Sequence, residues 1–323
     1  MQFPRKYFLK TEMPNTKITF IIHAKLRRIS SLKSVIETMF ATGYEVNFKS
    51  TTKTFGAKNS AIEAIEDGSE IIITCGGDGS INETVNGFLE TGHSHHINFG
   101  VLPLGTGNDF ARSLGVNKNI EALKLLIENR KFIDVSVFRM NFTDKNTQQN
   151  SRYYVNIADI GLGGFVVKNV STSSKILGAS GTYFTAIISS FLQFKKQPVQ
   201  LTSDSLEWTG NVMSLCMANG KYFGNGMCVS PEANITDDRL QLTILGNVSI
   251  WDYLKNMSKI KKGKKIPHPE ILYTAVKQCN IISKGIPCPI DMDGEFIGFT
   301  PLEVRLADKK ISFYGNANSV AEN

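Results

Sequence analysis

Two glycine-rich turns in the first third of the chain have the composition of a phosphate-binding site. Gly76–Ser80 follows the apolar run Ile71–Cys75, and Gly105–Asp109 follows the apolar run Val101–Leu104. Each combination is typical of a strand, a tight turn and the start of a helix. The first amides of a helix lack intrahelical partners and carry partial positive charge, which favours a phosphate there. One such turn is as easily a plain connection, but two in succession indicate a polyphosphate ligand, most simply a nucleotide.

The residue types of the first turn suit this chemistry. Glycine at positions 76, 77 and 79 allows positive φ angles and brings the backbone close to a ligand, since no Cβ intervenes. Ser80 has a hydroxyl that can cap the helix or bind a phosphate oxygen. The apolar residues after it recur at helical spacing and predict a helix with one face on a sheet: Ile81, Val85, Phe88 and Leu89.

A third cluster of chemical side chains lies near the other end of the chain. Ile290–Glu295 contains three carboxylates, Asp291, Asp293 and Glu295. Asp293-Gly294 alone would be an ordinary hairpin turn. Three carboxylates in so short a span are more than a turn needs, and they indicate a functional acidic loop.

The elements around the glycine turns alternate between strand and helix. The patterns predict strands over 17–22 and 44–49 and helices over 31–42, 57–66 and 120–129. This alternation predicts parallel βαβ units, that is, an α/β domain. Ligands bind such sheets at the carboxyl ends of the strands, which is where both glycine turns fall.

From Phe132 onward the pattern changes to short alternating runs with turn residues between them. They predict a second, antiparallel β-sandwich domain with helices over 183–194 and 250–260. The predicted strands are 132–141, 152–160, 199–203, 212–218, 240–245, 278–283 and 302–307.

Composition limits the class of protein. The chain has 323 residues, enough for two domains, and its net charge of +7 permits nucleic acid, anionic lipid or an anionic small substrate as partner. No nucleic-acid-binding motif accompanies the charge, so nucleic acid is not expected.

No apolar run is long enough to cross a bilayer and the N-terminus lacks a signal-peptide core, so a cytoplasmic location is expected. The five dispersed cysteines fit reduced thiols, and the histidines at 93, 95 and 96 fit a solvated loop.

The two turns together resemble the signatures of the diacylglycerol kinase catalytic-domain family, which includes sphingosine, ceramide and bacterial lipid kinases. Gly76–Glu83 is similar to the family's GGDGT-x-NE motif, with Ser80 in place of threonine. Pro103–Arg112 is similar to its P-x-GT-x-NDFAR motif. NAD kinases and phosphofructokinases share the first motif, whereas the second is specific to the lipid kinases. The resemblance spans roughly residues 18–314 and implies a NAD kinase/phosphofructokinase-like parallel sheet followed by a β-sandwich.

The resemblance implies an ATP site and a division of labour between domains. Residues 1–131 are expected to bind ATP, residues 132–304 to bind the lipid, and residues 305–323 to pack back on the first domain. Thr52 corresponds to the family's nucleotide-contacting threonine, with Thr51 as the alternative. The remaining expected ATP-binding residues are Gly76, Gly77, Asp78, Gly79, Ser80, Ile81, Asn82, Glu83, Gly105, Thr106, Asn108 and Asp109.

The resemblance also implies two roles for Mg²⁺. Asp78 and Asp109 are candidates to place an ion that bridges the phosphates. Pro231–Leu240 resembles the family's PxAxxxDDGxL turn, which holds a second Mg²⁺ through Asp238 and the carbonyls of Ile235 and Leu240. Arg239 replaces the family's glycine there, and a plain surface turn is the alternative. The family's Asn-Pro-x-Ser-Gly turn is also replaced, by His23–Arg28.

For catalysis, the Ile290–Glu295 segment resembles the family's D-x-DGE motif. Glu295 is expected to be the general base on the lipid hydroxyl, with Asp293 as its partner or rival. The acceptor is expected to be a membrane lipid, most simply diacylglycerol, reached by peripheral docking on the inner face of the membrane. The lysines within 255–265 could meet an anionic lipid surface, although a solvated helix end explains them equally well.

Two other functions stay open on the sequence alone. A NAD kinase-like enzyme would act on a soluble substrate and share the first glycine turn. Gly224-Asn225-Gly226 resembles a GGG segment of the family, with Asn225 in place of a glycine. A non-catalytic lipid-binding protein could keep the fold, and the departures at His23–Leu26, Asn225 and Arg239 are compatible with it.

Overall fold

A computed structural model describes residues 15–51, 56–92, 97–170 and 189–316. The elements of the first part, in chain order, are β1 (Thr16–His23), α1 (Ile29–Met39), β2 (Tyr44–Thr51), α2 (Gly56–Glu66), β3 (Ile71–Gly76), α3 (Asp78–Glu90), β4 (Asn98–Pro103), α4 (Asp109–Ser113), α5 (Ile120–Glu128) and β5 (Phe132–Val135).

The second part is made mainly of strands. Its elements are β6 (Phe138–Asp144), β7 (Gln149–Tyr154), β8 (Ile157–Gly161), α6 (Leu162–Val170), β9 (Gln197–Ser203), β10 (Glu207–Val212), β11 (Ser214–Ala218), β12 (Tyr222–Phe223), β13 (Met227–Cys228), β14 (Leu240–Leu245), α7 (Ile250–Lys261), β15 (Ile271–Val276), β16 (Gln278–Ser283), β17 (Pro289–Met292), β18 (Glu295–Leu306) and β19 (Ile311–Tyr314).

The first sheet confirms the predicted α/β architecture. Its strand order is β2-β1-β3-β4-β19-β5, and the pairs from β2 to β19 are parallel. The strands β1 and β3 at its centre are almost entirely buried because α1 and α5 cover one face and α2 and α3 the other. Along α3, Ile81, Val85 and Phe88 are buried, which confirms the predicted apolar face. The strand β19 returns from the end of the chain to lie between β4 and β5.

The second sheet is antiparallel throughout, as predicted for the β-sandwich. Its main path runs β10-β9-β16-β18-β17-β8-β11-β14-β15, with β6 and β7 joined through β18. The small hairpin β12–β13 lies apart from this path and faces α4 of the first part. The core of this second part is made of apolar residues, both aliphatic and aromatic, at alternate positions of β6, β8, β11, β14 and β17.

Several strand predictions are wrong in their limits. The run 132–141 is two strands, because Ser136 donates its amide to the Ile235 carbonyl at 2.7 Å and the chain changes sheets there. The run 152–160 is likewise interrupted at Asn156, whose carbonyl accepts the amides of Asn219 and Gly220. The strand predicted over 302–307 begins at Glu295, and β10 was not predicted.

Most helix predictions agree with the structure to within a few residues, α1 being shorter and set earlier than predicted. Of the helix predicted over 183–194, residues 183–188 lie outside the described residues, and residues 189–193 are helical. No helix in the described ranges is both long enough and apolar enough to cross a bilayer.

Candidate active site

The two glycine turns lie against each other at the carboxyl ends of β3 and β4. The Gly76 carbonyl accepts the amides of Leu104 and Gly105, at 2.9 and 3.1 Å. A Cβ added to Gly105 would lie 2.4 Å from the Gly77 Cα, closer than such atoms can approach. The close backbone contact therefore explains glycine at both positions, and it confirms the expectation that the two turns adjoin.

The helix α3 begins beside this contact without a side-chain cap. Gly77 is its N-cap residue, with extended backbone angles of φ −107° and ψ −170°. Ser80 does not cap the helix, because it is the third helical residue, and its hydroxyl lies 2.7 Å from where a Cβ on Gly76 would be. The first amides of α3 therefore lack a capping side chain and are placed to receive an anion.

The helix α4 differs, because its first amides already have partners. Asp78 accepts the Asp109 amide at 3.1 Å and the Phe110 amide at 2.9 Å, one on each carboxylate oxygen. The Asp78 carboxylate from the first turn therefore caps the second helix, so the two glycine turns differ in which amides are unoccupied. Thr106 is exposed in the second glycine turn. The Asn108 side chain accepts the Gly105 amide and donates to the Gly105 carbonyl, each at 2.9 Å.

Asp109 connects the second glycine turn to the second sheet. Its buried carboxylate accepts the amides of Asn225 and Gly226, at 2.9 and 2.6 Å. Burial raises the pKa of this carboxyl above its usual value, and the neighbouring Asp78 raises it further. Both carboxylate oxygens of Asp109 accept backbone amides, so this side chain joins α4 to the β12–β13 loop.

The last three residues of the first motif face away from the turn. Ile81 is buried in the core, and Glu83 accepts the Ala57 amide at the start of α2 at 2.9 Å. Asn82 is fully buried and donates to Asp293 at 2.8 Å, so it joins α3 to the acidic loop. The side chains of these three residues therefore make contacts within the protein.

Thr52 lies outside the described residues, as do the histidines at 93, 95 and 96. Thr51, the alternative nucleotide contact, is buried and its hydroxyl accepts the Ala24 amide at 3.3 Å. The turn after β1 thus lies near the first glycine turn, and the His23 Cβ would be 3.6 Å from a Cβ on Gly76.

The acidic loop, Ile290–Glu295, lies beside the first turns of α3: Asp293 contacts Asn82, and Glu295 lies close to Gly79. Asp293 is buried and accepts the Ile157 amide at 3.0 Å as well as the Asn82 amide group. Burial raises the pKa of Asp293 to about 7. Asp291 is also buried, which raises the pKa of its carboxyl well above its usual value, and one of its oxygens accepts the Gly294 amide at 2.9 Å.

Glu295 has a different environment from Asp293. Its side chain is 37% exposed and pairs with Arg152 at 2.8 Å. A Cβ on Gly79 would lie 3.0 Å from Glu295 Oε1, so glycine at position 79 leaves room for this carboxylate. Arg152 also donates to the Asn82 side chain at 2.7 Å. Sequence reasoning missed Arg152, because a single arginine in a strand carries no local signal of its partners.

A polar pocket brings these parts together. Asp78 and Thr106 line it from the first part, Asp293 from the acidic loop, and Phe223 and Asn225 from the β12–β13 loop. The pocket therefore joins the uncapped end of α3 to a carboxyl whose pKa lies near neutrality. Such a combination is typical of a catalytic site.

An apolar cavity adjoins the polar pocket. Phe223 lines both spaces, and consecutive residues of α6 divide between them, Val166 facing the cavity and Val167 the pocket. The cavity walls come from β11, β14, β15, α6 and α7. At its polar end Asp159 is buried, which raises the pKa of its carboxyl to about 7, and it accepts the Ser214 hydroxyl.

The residues expected to form a second magnesium site do not fit it. Lys310 places its ammonium 2.9 Å from the Asp238 carboxylate and 2.8 Å from the Thr236 carbonyl. The Ile235 carbonyl is occupied by the Ser136 amide, and the Ser136 hydroxyl bonds Asp238 at 2.7 Å. These bonds lower the pKa of Asp238, the Ser136 hydroxyl more than Lys310. A lysine ammonium therefore already neutralises the carboxylate that the metal would need.

We expect the stability of the protein to be independent of Mg²⁺ for this reason. Chelation of divalent ions should leave the melting temperature of the wild type unchanged. Lys310→Met should lower it by about 1–3 °C, since a half-exposed ion pair contributes up to ~1 kcal/mol. Thermal unfolding with EDTA or Mg²⁺ measures both effects, with the exposed Lys118→Met as matched control. A fall in the wild-type melting temperature on chelation would contradict the assignment.

Comparison with known proteins agrees with the geometry. Residues 18–140 match the diacylglycerol kinase catalytic domain, and residues 156–314 match the YegS C-terminal NAD kinase beta sandwich-like domain. The chain belongs to the diacylglycerol kinase catalytic-domain family and is a lipid kinase that uses ATP as phosphate donor.

Named relatives cover nearly the whole chain. A diacylglycerol kinase of Staphylococcus carnosus is 28% identical over 287 residues, which are 88% of this chain and 89% of that one. A crystal structure of a diacylglycerol kinase from Bacillus anthracis aligns with a TM-score of 0.70 at 19% identity, over 95% of this chain and 100% of that one. A NAD kinase from Archaeoglobus fulgidus, solved with ATP, shares the fold with a TM-score of 0.52 at 11% identity, over 94% and 96% of the two chains.

Proposed function

We propose that this enzyme transfers the γ-phosphoryl group of ATP to the hydroxyl of diacylglycerol, which yields phosphatidic acid. The observation that carries the proposal is the junction at Phe223 between an apolar cavity and the polar pocket at the α3 N-terminus. An acyl chain in the cavity would direct the lipid hydroxyl toward the pocket. The named diacylglycerol kinase relatives support this acceptor.

Each part of the chain has a place in this proposal. The first sheet binds ATP, with the triphosphate on the amides of Gly77–Ser80, Thr106 at the rim and Thr52 toward the adenosine. We keep the division predicted from the sequence, residues 1–131 with 305–323 and residues 132–304, except that β5 also joins the ATP-binding part, because it pairs with β19 in that sheet. The second sheet holds the lipid.

The acidic loop supplies the base. Phosphoryl transfer needs positioning and charge neutralisation more than covalent assistance. The lipid oxygen forms the new bond to the γ-phosphorus as the bond to the bridging oxygen breaks, and ADP leaves with that electron pair. We assign the lipid proton to Asp293, because it lines the pocket and has a pKa of about 7. Glu295 then positions Arg152 and the start of α3.

The charge of the pocket supports Mg²⁺ as the companion of ATP. Asp78, Asp109, Asp291 and Asp293 all line a pocket that has to accept a polyanion. No group of three or more potential side-chain ligands is preformed within the described residues. A hard divalent ion suits oxygen ligands, so Mg²⁺ would arrive with the nucleotide and neutralise phosphate charge, held by Asp78 and its acidic neighbours.

A lipid-panel assay tests the acceptor. The enzyme is incubated with γ-labelled ATP and mixed micelles that contain diacylglycerol, ceramide or a sphingoid base, and separately with NAD. We expect labelled phosphatidic acid and no labelled NADP. Label in a different lipid would contradict diacylglycerol, and label in NAD alone would contradict a lipid acceptor.

Narrowing the cavity provides an independent test of where the acyl chain lies. Val166 is buried on the cavity side of α6, so Val166→Phe should shift preference from long-chain to short-chain diacylglycerol. We expect the ratio of kcat/KM for long over short chains to fall at least about tenfold, the scale of one or two methylenes in an apolar pocket. The KM for ATP should not change. An unchanged chain-length preference would show that the chain binds elsewhere.

A further inference from the structure

The helix α7 covers the apolar cavity with one face and is exposed on the other. Tyr253, Asn256 and Ile260 line the cavity. On the opposite face, Trp251 is 75% exposed and Leu254 is 36% exposed. Exposed tryptophan on a soluble surface is uncommon, and a large apolar side chain beside an apolar cavity indicates a contact surface.

The helical residues 189–193 extend this exposed surface. The rings of Phe191 and Tyr253 pack with their centroids 5.2 Å apart, so this segment lies against α7. Leu192, next to Phe191, is 75% exposed. Leu192, Trp251 and Leu254 are therefore exposed apolar side chains on the two segments that pack together over the cavity.

A row of positive charges borders these side chains. Lys255, Lys259 and Lys262 are exposed and recur at intervals of four and three residues, which places them on one side of α7. Trp251 precedes Lys255 by one helical turn and lies on the same side. A helix with apolar and aromatic residues at one end and a cationic row beside them has the composition of an interfacial membrane segment.

We propose that this surface, formed by Leu192, Trp251 and Leu254 with the lysine row, docks the enzyme on an anionic bilayer. The proposal rests on the proposed lipid acceptor, because α7 would then separate the membrane from the cavity that receives the acyl chain. The tryptophan and leucine side chains enter the headgroup boundary, and the lysines meet anionic headgroups. A second copy of the chain is a poorer occupant, since an isologous contact would bring two lysine rows together.

Tryptophan fluorescence tests the docking directly, because the chain contains only two tryptophans. Trp208→Phe leaves Trp251 as the single reporter, and Trp251→Phe leaves Trp208 as the matched control. With vesicles of phosphatidylcholine and phosphatidylglycerol, we expect a blue shift of Trp251 emission and quenching by brominated lipid. Trp208 emission should not change. Pure phosphatidylcholine vesicles should give a much smaller effect.

Charge reversal tests the lysine row. Lys255→Glu, Lys259→Glu and Lys262→Glu together should weaken binding to the anionic vesicles at least about 100-fold, at roughly fivefold per lost lysine. The control reverses three exposed lysines elsewhere, Lys118, Lys131 and Lys145, with the same change in net charge. It should bind nearly as well as the wild type. If both triple variants lost vesicle affinity equally, net charge alone would explain the binding, and the proposed docking surface would be wrong.

The outcomes separate docking from catalysis. The reversed variant should retain activity on short-chain diacylglycerol below its micelle concentration and lose it on vesicles. Absence of any Trp251 shift with anionic vesicles, or a shift caused by self-association without lipid, would overturn the docking surface even in an active kinase. Vesicle binding through Trp251 by a protein that phosphorylates no lipid would support the surface and contradict the proposed function.

Discussion

Replacing Asp293 by Asn should lower kcat for lipid phosphorylation by about 10²–10⁴, the range expected when a general base is removed. Asparagine keeps the size of the side chain and tolerates the positive φ of 50° at this position. The KM for ATP should change little, because the triphosphate is assigned to the amides of α3. Steady-state kinetics with diacylglycerol micelles measure the effect.

The matched control for Asp293 is Glu295→Gln. It removes the ion pair with Arg152 and leaves the base in place, so we expect a loss of at most about tenfold. A larger loss from Glu295→Gln than from Asp293→Asn would return the role of base to Glu295. If neither substitution reduced turnover, the acidic loop would not supply the base.

The pH dependence identifies the base further. The pKa of Asp293 is raised to about 7, so the carboxyl is protonated below that pH and cannot accept the lipid proton. The rate of the wild type should therefore fall tenfold per pH unit below about 7 and level off above it. Asp293→Asn should lose this inflection, whereas Glu295→Gln should keep it. A wild-type profile flat from pH 5 to 8 would contradict the assignment.

The second large effect is expected from Gly105→Ala. The new Cβ would lie 2.4 Å from the Gly77 Cα and 2.9 Å from the Asn108 side-chain oxygen, so the two turns must separate. Backbone atoms cannot yield as a flexible side chain can, and overpacking of this kind costs about 1–3 kcal/mol. We expect ATP affinity to fall at least about tenfold and the melting temperature by roughly 3–10 °C.

Gly285→Ala is the control for this effect, since its nearest neighbour would be 3.5 Å away, at ordinary contact distance. Calorimetric titration of an ATP analogue and thermal unfolding should show little change in that variant. Unchanged ATP affinity in Gly105→Ala would mean that the contact between the turns does not shape the nucleotide site.

The fold was predictable to the extent that its signals are local. The run from Ile71 to Gly79 predicts a buried strand and a glycine turn without reference to the rest of the chain, and α3 follows at helical spacing. The predicted ends of strands were wrong where a hydrogen-bond partner distant in sequence determines the end of the strand. The strand predicted over 132–141 divides at Ser136, because that amide bonds the Ile235 carbonyl about a hundred residues away.

The hydrogen-bond and ion-pair partners of the polar site residues were even less predictable from the sequence. The motif predicts that Asp78 and Asp109 lie close together, and both line the pocket, but nothing near them in sequence shows that Asp78 caps α4 or that Asp109 binds the Asn225 amide. Lys310 replaces the expected cation at Asp238 from the start of β19. Such pairings depend on the packed tertiary structure, and patterns of composition and spacing do not contain them.

A crystal structure with a non-hydrolysable ATP analogue and Mg²⁺ would show where the phosphates bind. We expect them within hydrogen-bond distance of the Gly79 and Ser80 amides, with the Asp293 carboxyl facing the γ-phosphate across the pocket. The Asp109 and Phe110 amides should remain bonded to Asp78. Phosphates bound on the α4 amides, or a γ-phosphate turned away from Asp293, would contradict it.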